Sequence, residues 1–134
     1  MRPSAVLMLA AGLVAAGLSM FLAPAASARE LLMFERKGCA YCLKFDHDVA
    51  PIYEKTDEGQ RAPLRRVDLS SGAPGDVVLA APVHFTPTFV LVDEGREVGR
   101  ITGYASDEAF WGLLGSMQNA MRDTIQDRMA GARP

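Results

Sequence analysis

Two cysteines, Cys39 and Cys42, are the only ones in this 134-residue sequence, and two residues separate them. Four consecutive apolar residues at 31–34 precede the pair and predict a short buried strand. From Cys42 to Tyr53 the apolar residues recur at steps of three and four, which predicts a helix. A Cys-x-x-Cys motif at a junction between a strand and a helix is typical of a redox-active dithiol. The rest of the chain has to fold around this junction.

Three other uses of a cysteine pair can be weighed against redox chemistry. A structural disulfide would close a loop of only four residues and stabilise the fold by about 2 kcal/mol, the weak end of the usual range. A metal site needs further ligands, and the only histidines, His47 and His84, stand alone. Covalent haem attachment requires a histidine directly after the second cysteine, where this chain has Leu43, so it is excluded. Redox chemistry is favoured, with metal binding and a structural disulfide as the alternatives.

The expected roles of the two sulfur atoms follow from their order along the helix. A thiolate is the attacking species in disulfide exchange, and a helix N-terminus lowers the pKa of a thiol placed there. Cys39 is therefore expected to be the nucleophile, with Arg36 and Lys37 adding to the positive field. Cys42, one turn further into the helix, is expected to be less exposed and to resolve the mixed disulfide.

Residues 1–28 have the composition of a secretory signal peptide. Arg2 gives a short positive start, residues 5–23 are almost entirely small or apolar, and an A-x-A cleavage site follows at 26–28. We predict cleavage, which leaves residues 29–134 as one small domain in the periplasm, although the apolar run is also long enough for a retained anchor. That compartment is oxidising, and cysteines there usually form disulfides.

The charge of the chain argues against nucleic acid as a partner. Its formal net charge is −2, and its basic residues form no stripe or cluster beyond the pairs at 36–37 and 65–66. No motif in the sequence indicates a cofactor. The expected chemistry therefore depends on the two thiols alone.

The predicted elements follow one another in the order β-α-β-α-β-β-α. The first helix should kink at residues 49–51, because Pro51 cannot donate the helical hydrogen bond, and should end near residues 57–59. The remaining elements are a strand at 64–69, one or two helical turns at 76–81, strands at 85–92 and 98–104 joined by a turn at 94–97, and a final helix capped by Ser106.

These motifs resemble the thioredoxin superfamily over nearly all of the predicted domain. The resemblance is carried by Cys39 and Cys42 and by Thr86-Pro87, which is similar to the cis-proline loop of that superfamily. It implies that this loop faces the dithiol and presents backbone groups to a substrate chain, although most X-Pro bonds are trans. Tyr41, between the cysteines, is expected to be exposed and to touch the substrate. The implied fold is α/β and thioredoxin-like, of glutaredoxin size, with a central mixed sheet flanked by helices.

Within the superfamily the chain is most similar to small periplasmic proteins encoded with bacterial sulfur-oxidation systems, the SoxS type. The stretches that suggest this are Leu-Met-Phe-Glu at 32–35, Gly-Cys-Ala-Tyr-Cys at 38–42, Pro-Ile-Tyr at 51–53 and Phe-Thr-Pro-Thr-Phe-Val-Leu-Val at 85–92. The resemblance implies a thiol–disulfide oxidoreductase that reduces a disulfide or modified thiol on a protein partner, such as a sulfur carrier, and we expect it to be a monomer. It also implies a membrane-bound electron donor.

Two departures separate the chain from thioredoxins themselves. Gly38 replaces the tryptophan before the first cysteine, and Ala-Tyr lies between the cysteines. Met33 occupies the position of the buried acid that thioredoxins carry, so proton transfer to the resolving thiol would need Glu35, another group or water. A disulfide oxidase or isomerase and a non-enzymatic metal-binding chaperone remain alternatives, although an isomerase would lack sequence for a dimerisation domain.

Overall fold

A computed structural model describes residues 29–132, and the predicted signal peptide at 1–28 lies outside the described residues. Within residues 29–132 the elements begin with strand β1 and end with one long helix. They are β1 (Glu30–Glu35), α1 (Ala40–Asp48), α2 (Ala50–Tyr53), α3 (Asp57–Arg61), β2 (Leu64–Asp68), a 3-10 turn (Leu69–Ser71), β3 (Thr88–Asp93), β4 (Arg96–Thr102) and α4 (Asp107–Gly131).

The four strands form one mixed sheet in the order β2-β1-β3-β4. Strand β1 pairs in parallel with β2 and antiparallel with β3, and β3 pairs antiparallel with β4. Residues 31–34 of β1 are fully buried, as expected for a central strand that is covered on both faces. This arrangement confirms the predicted α/β class with a central mixed sheet. Within residues 29–132 no helix is both long enough and apolar enough to cross a membrane.

The predicted kink after the Cys-x-x-Cys helix is confirmed, but the predicted end of that helix is wrong. Helix α1 stops at Asp48, and Pro51 lies in the first turn of α2, where its missing N–H has no helical partner to lose. Helix α2 ends at Tyr53, and α3 begins separately because the Thr56 hydroxyl accepts the N–H of Gly59 at 3.1 Å. The Thr56 cap therefore separates helices that the spacing of apolar residues had predicted as one.

The helical turns predicted at residues 76–81 are absent, and this prediction is wrong. Val78 instead forms a parallel bridge to the edge of β4, donating to the Gly95 carbonyl at 2.7 Å and accepting from Glu97 at 3.0 Å. The Glu97 carboxylate also accepts the N–H of Ala80 at 2.7 Å. These backbone N–H and carbonyl groups already have hydrogen-bond partners at the edge of the sheet, so the segment does not need helical hydrogen bonds. Strand boundaries also shift, since Phe85 to Pro87 precede β3 rather than belong to it.

The two faces of the sheet are covered differently. Helices α1 and α4 cover one face through an aromatic cluster, in which Phe45 lies 4.7 Å from Phe89 and 5.2 Å from Phe110 between ring centroids. The opposite face, with Phe34 and Val90, is covered by apolar side chains of the irregular segment between β2 and β3. The Ser106 hydroxyl caps α4 as predicted, at 3.2 Å from the N–H of Ala109. The aromatic face is the one that supports the site.

Candidate active site

The two cysteines form a disulfide at the start of helix α1. Cys39 is the N-cap residue, and its Sγ accepts the N–H of Cys42 at 3.1 Å. The Cα atoms lie 5.2 Å apart. Cys39 is partly exposed, whereas only 4% of Cys42 is exposed. Gly38 has a φ of +78°, a conformation that other residues rarely adopt, and this allows the chain to turn from β1 into α1.

The Thr86–Pro87 peptide bond, in the loop before β3, is cis. Thr86 and Pro87 line a groove of about 430 Å³ together with Tyr41, which is 61% exposed. The structure therefore brings together all three residues predicted to bind substrate. The Pro87 carbonyl accepts the N–H of Gly103 at 2.8 Å, which attaches the loop to the end of β4.

The opposite wall of the groove comes from the aromatic core and from the start of α4. Phe110, which is buried, and Leu113, which is 51% exposed, both line it. The apolar spacing of the last helix predicts Leu113 on its buried face, and this prediction is wrong because the side chain lines the groove and is half-exposed. The wall is therefore largely apolar and is continuous with the core.

A hydrogen-bonded group anchors the groove wall to helix α1. The Tyr104 hydroxyl donates to the Asp48 carboxylate at 3.0 Å, and Lys44 Nζ lies 2.7 Å from the same carboxylate and 5.1 Å from the Tyr104 ring centroid. Hydrogen bonds from Lys44, His47 and Tyr104 lower the pKa of Asp48 to about 2. Burial and the bond to Asp48 raise the pKa of Tyr104 to about 12. The neutral phenol and the charged carboxylate therefore form a stable pair.

A second and polar hollow, of about 250 Å³, opens on the disulfide next to the strand end of β1. Both cysteines line it, together with Glu35 and Asp46. Arg66 of β2 binds both carboxylates, with N–O distances of 2.7 Å to Glu35 and 2.6 Å to Asp46. Burial lowers the pKa of Arg66, the two carboxylates raise it, and the net shift is upward, so Arg66 is positively charged.

Sequence reasoning named the two cysteines and three of the residues that line the groove, but it missed the polar hollow. Asp46 lies four residues after Cys42 on α1, a spacing that places both on one helix face and could have been noticed. Arg66 had no local signal, because it reaches the site only through the pairing of β1 and β2. Met33, where thioredoxins carry an acid, is fully buried. No cluster of three or more histidine, cysteine or acidic side chains able to hold a metal occurs within residues 29–132.

Comparison with known proteins gives consistent results. Residues 18–118 match the thioredoxin-like domain family. Periplasmic thioredoxin SoxS from Paracoccus pantotrophus, in its reduced form, is 45% identical, and the alignment covers 66% of this chain and 94% of that one with a TM-score of 0.65. A thioredoxin-fold protein from Helicobacter pylori, at 24% identity and a TM-score of 0.52 over 69% of this chain and 73% of that one, shares the fold alone. No curated protein matches the chain significantly. The predicted thioredoxin-like fold is confirmed.

Proposed function

Because the chain belongs to the thioredoxin-like domain family and is a thiol–disulfide oxidoreductase, we propose that it reduces disulfides or mixed disulfides of a partner protein in the periplasm. The observation that carries this proposal is the unequal access to the two sulfur atoms. Cys39 is partly exposed at a helix N-terminus, two residues before Tyr41 of the groove, and Cys42 is almost fully buried. Such an arrangement suits attack by the first sulfur and release by the second.

The proposed reaction starts from the reduced dithiol. The Cys39 thiolate attacks one sulfur of the partner disulfide, and the other partner sulfur leaves as a thiolate. Cys42 then attacks Cys39 Sγ, which breaks the mixed disulfide and releases the second partner thiol. The two electrons come from the dithiol, which ends as the Cys39–Cys42 disulfide seen in the structure. A membrane-bound donor would return those electrons, since the periplasm is an oxidising compartment.

We assign substrate binding to Tyr41, Thr86 and Pro87. All three line the groove of about 430 Å³, which is large enough for side chains on either side of a substrate cysteine. The exposed Tyr41 ring and the apolar wall offer contact area to an extended peptide without charge selection. Charged parts of a partner would then be recognised outside the groove, at the exposed Arg36 and Lys37 in the turn before Cys39.

The proposed compartment and partner are supported by sequence likeness. SoxS of Paracoccus pantotrophus is described as a periplasmic thioredoxin, and the predicted signal peptide at residues 1–28 agrees with export. We therefore propose a monomeric periplasmic reductase that keeps the thiol of a sulfur-carrier protein, or of a similar partner, in its reduced form.

The reduction potential of the Cys39–Cys42 pair tests the direction of electron flow. The experiment equilibrates the protein with a thiol redox buffer and quantifies both forms by mass spectrometry after alkylation. A value near or below roughly −270 mV, as in thioredoxin, would support the reductase. A value near −120 mV, as in strong periplasmic oxidants, would favour a disulfide oxidase and overturn the proposal. The Cys42→Ser variant, which forms no internal disulfide, provides the control.

A further inference from the structure

We propose that the Asp46 carboxylate, held in place by Arg66, accepts the proton of the Cys42 thiol when the mixed disulfide is resolved. The proposal rests on the roles given above to Cys39 and Cys42. It extends them by naming the group that makes the second sulfur reactive and the residue that positions that group.

The chemical need for such a group follows from the burial of Cys42. Disulfide exchange requires a thiolate, so the Cys42 thiol must lose its proton before it attacks Cys39. Only 4% of Cys42 is exposed, and bulk water therefore has little access to it. No acid lies behind it at the position of Met33, which is itself fully buried. The proton has to leave through the polar hollow that both cysteines line.

Asp46 is the acid best placed to receive this proton. It lies one helical turn after Cys42 on α1, and residues four apart on a helix have Cβ atoms roughly 5–6 Å apart. Both residues line the same hollow, whose volume of about 250 Å³ has room for water between them. A general base within reach of a proton through one water molecule is sufficient for transfer.

Arg66 positions Asp46 from a different element of the fold. Its guanidinium bridges Asp46 on α1 and Glu35 at the end of β1, with N–O distances of 2.6 and 2.7 Å. Without this cation the two carboxylates would repel each other, and Asp46 would be free to turn towards solvent. We therefore describe Arg66 as a positioning residue.

Several other charged groups face the hollow and bear on its pH dependence. Asp68, at the end of β2, lines it, and so do Arg36 and Lys37 of the turn before Cys39. Further along α1, Lys44 and Asp48 are paired with each other at 2.7 Å. Among these groups only Asp46 shares a helix face with Cys42, and this distinguishes it from Glu35 and Asp68.

The proposed step conserves atoms and electrons. The Cys42 Sγ–H bond breaks, and its proton passes through a water molecule to the Asp46 carboxylate. The Cys42 thiolate then forms a bond to Cys39 Sγ, while the bond between Cys39 and the partner sulfur breaks. The partner leaves as a thiolate with the electron pair of that bond, and Asp46 later returns its proton to solvent.

The test separates the two steps with a small coloured leaving group. Reduced protein is mixed in a stopped-flow instrument with dithiobis-nitrobenzoate, which releases one nitrothiobenzoate when Cys39 attacks and a second when Cys42 resolves the adduct. We expect Asp46→Asn to slow the second release about tenfold or more between pH 5 and 8 and to change its pH profile. The first release should stay within about twofold, and Asp46→Glu should restore the second.

Arg66 is tested in the same assay against its neighbour on β2. Arg66→Met should slow the second release selectively, because Asp46 loses its anchor. Arg65→Met is the matched control, since Arg65 pairs with Glu30 and Asp76 away from the hollow, and it should leave both releases unchanged.

Two outcomes would overturn the proposal. One is a second release that is unchanged in rate and pH profile in Asp46→Asn, and the other is an equal slowing of both releases, which would indicate a general structural effect. Failure of the cysteine assignment would look different. In that case the Cys42→Ser variant would show no first release, whereas the proposed function expects a single release followed by a stable adduct.

Discussion

Helix α1 contributes Tyr41 to the groove and Cys42 to the polar hollow, but the two cavities are lined by different kinds of side chain. The groove is walled by Pro87, Phe110 and Leu113 and is largely apolar, whereas the hollow is lined by carboxylates and bridged by Arg66. In our proposal the first accommodates a peptide and the second removes a proton. The comparison suggests how one small domain can separate substrate contact from acid–base chemistry.

The groove and the polar hollow also differ in the interactions that hold their shape. Phe110 packs against Phe89 at 4.9 Å and Phe45 at 5.2 Å between ring centroids, so the groove is continuous with the hydrophobic core. The ion pairs of the hollow are partly solvent-exposed, and such pairs contribute about 0–1 kcal/mol each to stability. Loss of the buried Phe110 from the groove wall should therefore destabilise the protein strongly, while loss of the ion pairs of the hollow should change chemistry with little effect on stability.

The largest effect is expected at the disulfide itself, which lines the polar hollow. Cys39→Ser should abolish turnover of a disulfide-containing reporter protein, because no attacking thiolate remains. Cys42→Ser should also stop turnover but accumulate a mixed disulfide, which mass spectrometry would detect as an adduct. Adduct formation by Cys39→Ser, with none by Cys42→Ser, would reverse the assigned roles.

The dependence of the groove on the core is tested by two neighbours in its wall. Phe110→Ala should lower the free energy of unfolding by about 3–5 kcal/mol, since it removes a buried aromatic ring. Leu113→Ala, which alters a half-exposed side chain in the same wall, should cost less than about 1 kcal/mol. Urea unfolding followed by circular dichroism measures both. A loss for Phe110→Ala as small as that for Leu113→Ala would show that the groove wall is not an extension of the core.

Contact with substrate is tested at Tyr41, which helix α1 contributes to the groove. Tyr41→Ala should raise the KM for a protein disulfide several-fold and leave kcat nearly unchanged, because the exposed ring contributes binding area rather than chemistry. Ile52→Ala is a suitable control, as Ile52 is also half-exposed but lies on α2 outside the groove. If both variants behave like the parent protein, Tyr41 has no part in binding.

The smallest effect concerns the bond between Tyr104 and Asp48 behind the groove. The pKa of Asp48 is lowered from 3.8 to about 2, chiefly by Lys44 and then by His47. Because the folded-state pKa is the lower one, Asp48 contributes stability that is present above about pH 4 and is lost as the pH falls towards 2. Asp48→Asn should therefore lose less stability over that interval than the parent protein.

Urea unfolding at several pH values between 2 and 5 measures this difference in slope. Asp57→Asn provides the control, since Asp57 is highly exposed and pairs only weakly with Arg61 at 3.6 Å. Identical slopes for Asp48→Asn and the parent protein would contradict the assignment of the low pKa to Asp48.

The sequence by itself determined the features that depend on neighbours along the chain. Four apolar residues predicted β1, the spacing of the apolar residues after Cys42 predicted the helical segment that follows it, and Pro51 predicted the break in that segment. The Ser106 cap likewise fixed the start of α4. Each of these signals acts within a few residues, so it can be recognised without knowledge of the fold.

Only the tertiary structure decided which residues, far apart in the sequence, come together around the polar hollow beside the disulfide. Arg66 lies 20 residues from Asp46 and 31 from Glu35, and it reaches them because β1 and β2 pair in parallel. The segment around Val78 became an added bridge to β4 rather than a helix for the same reason, since its backbone found partners on a strand edge. Hydrogen bonds and ion pairs between distant segments depend on strand register, and a pattern read along one segment does not contain that information.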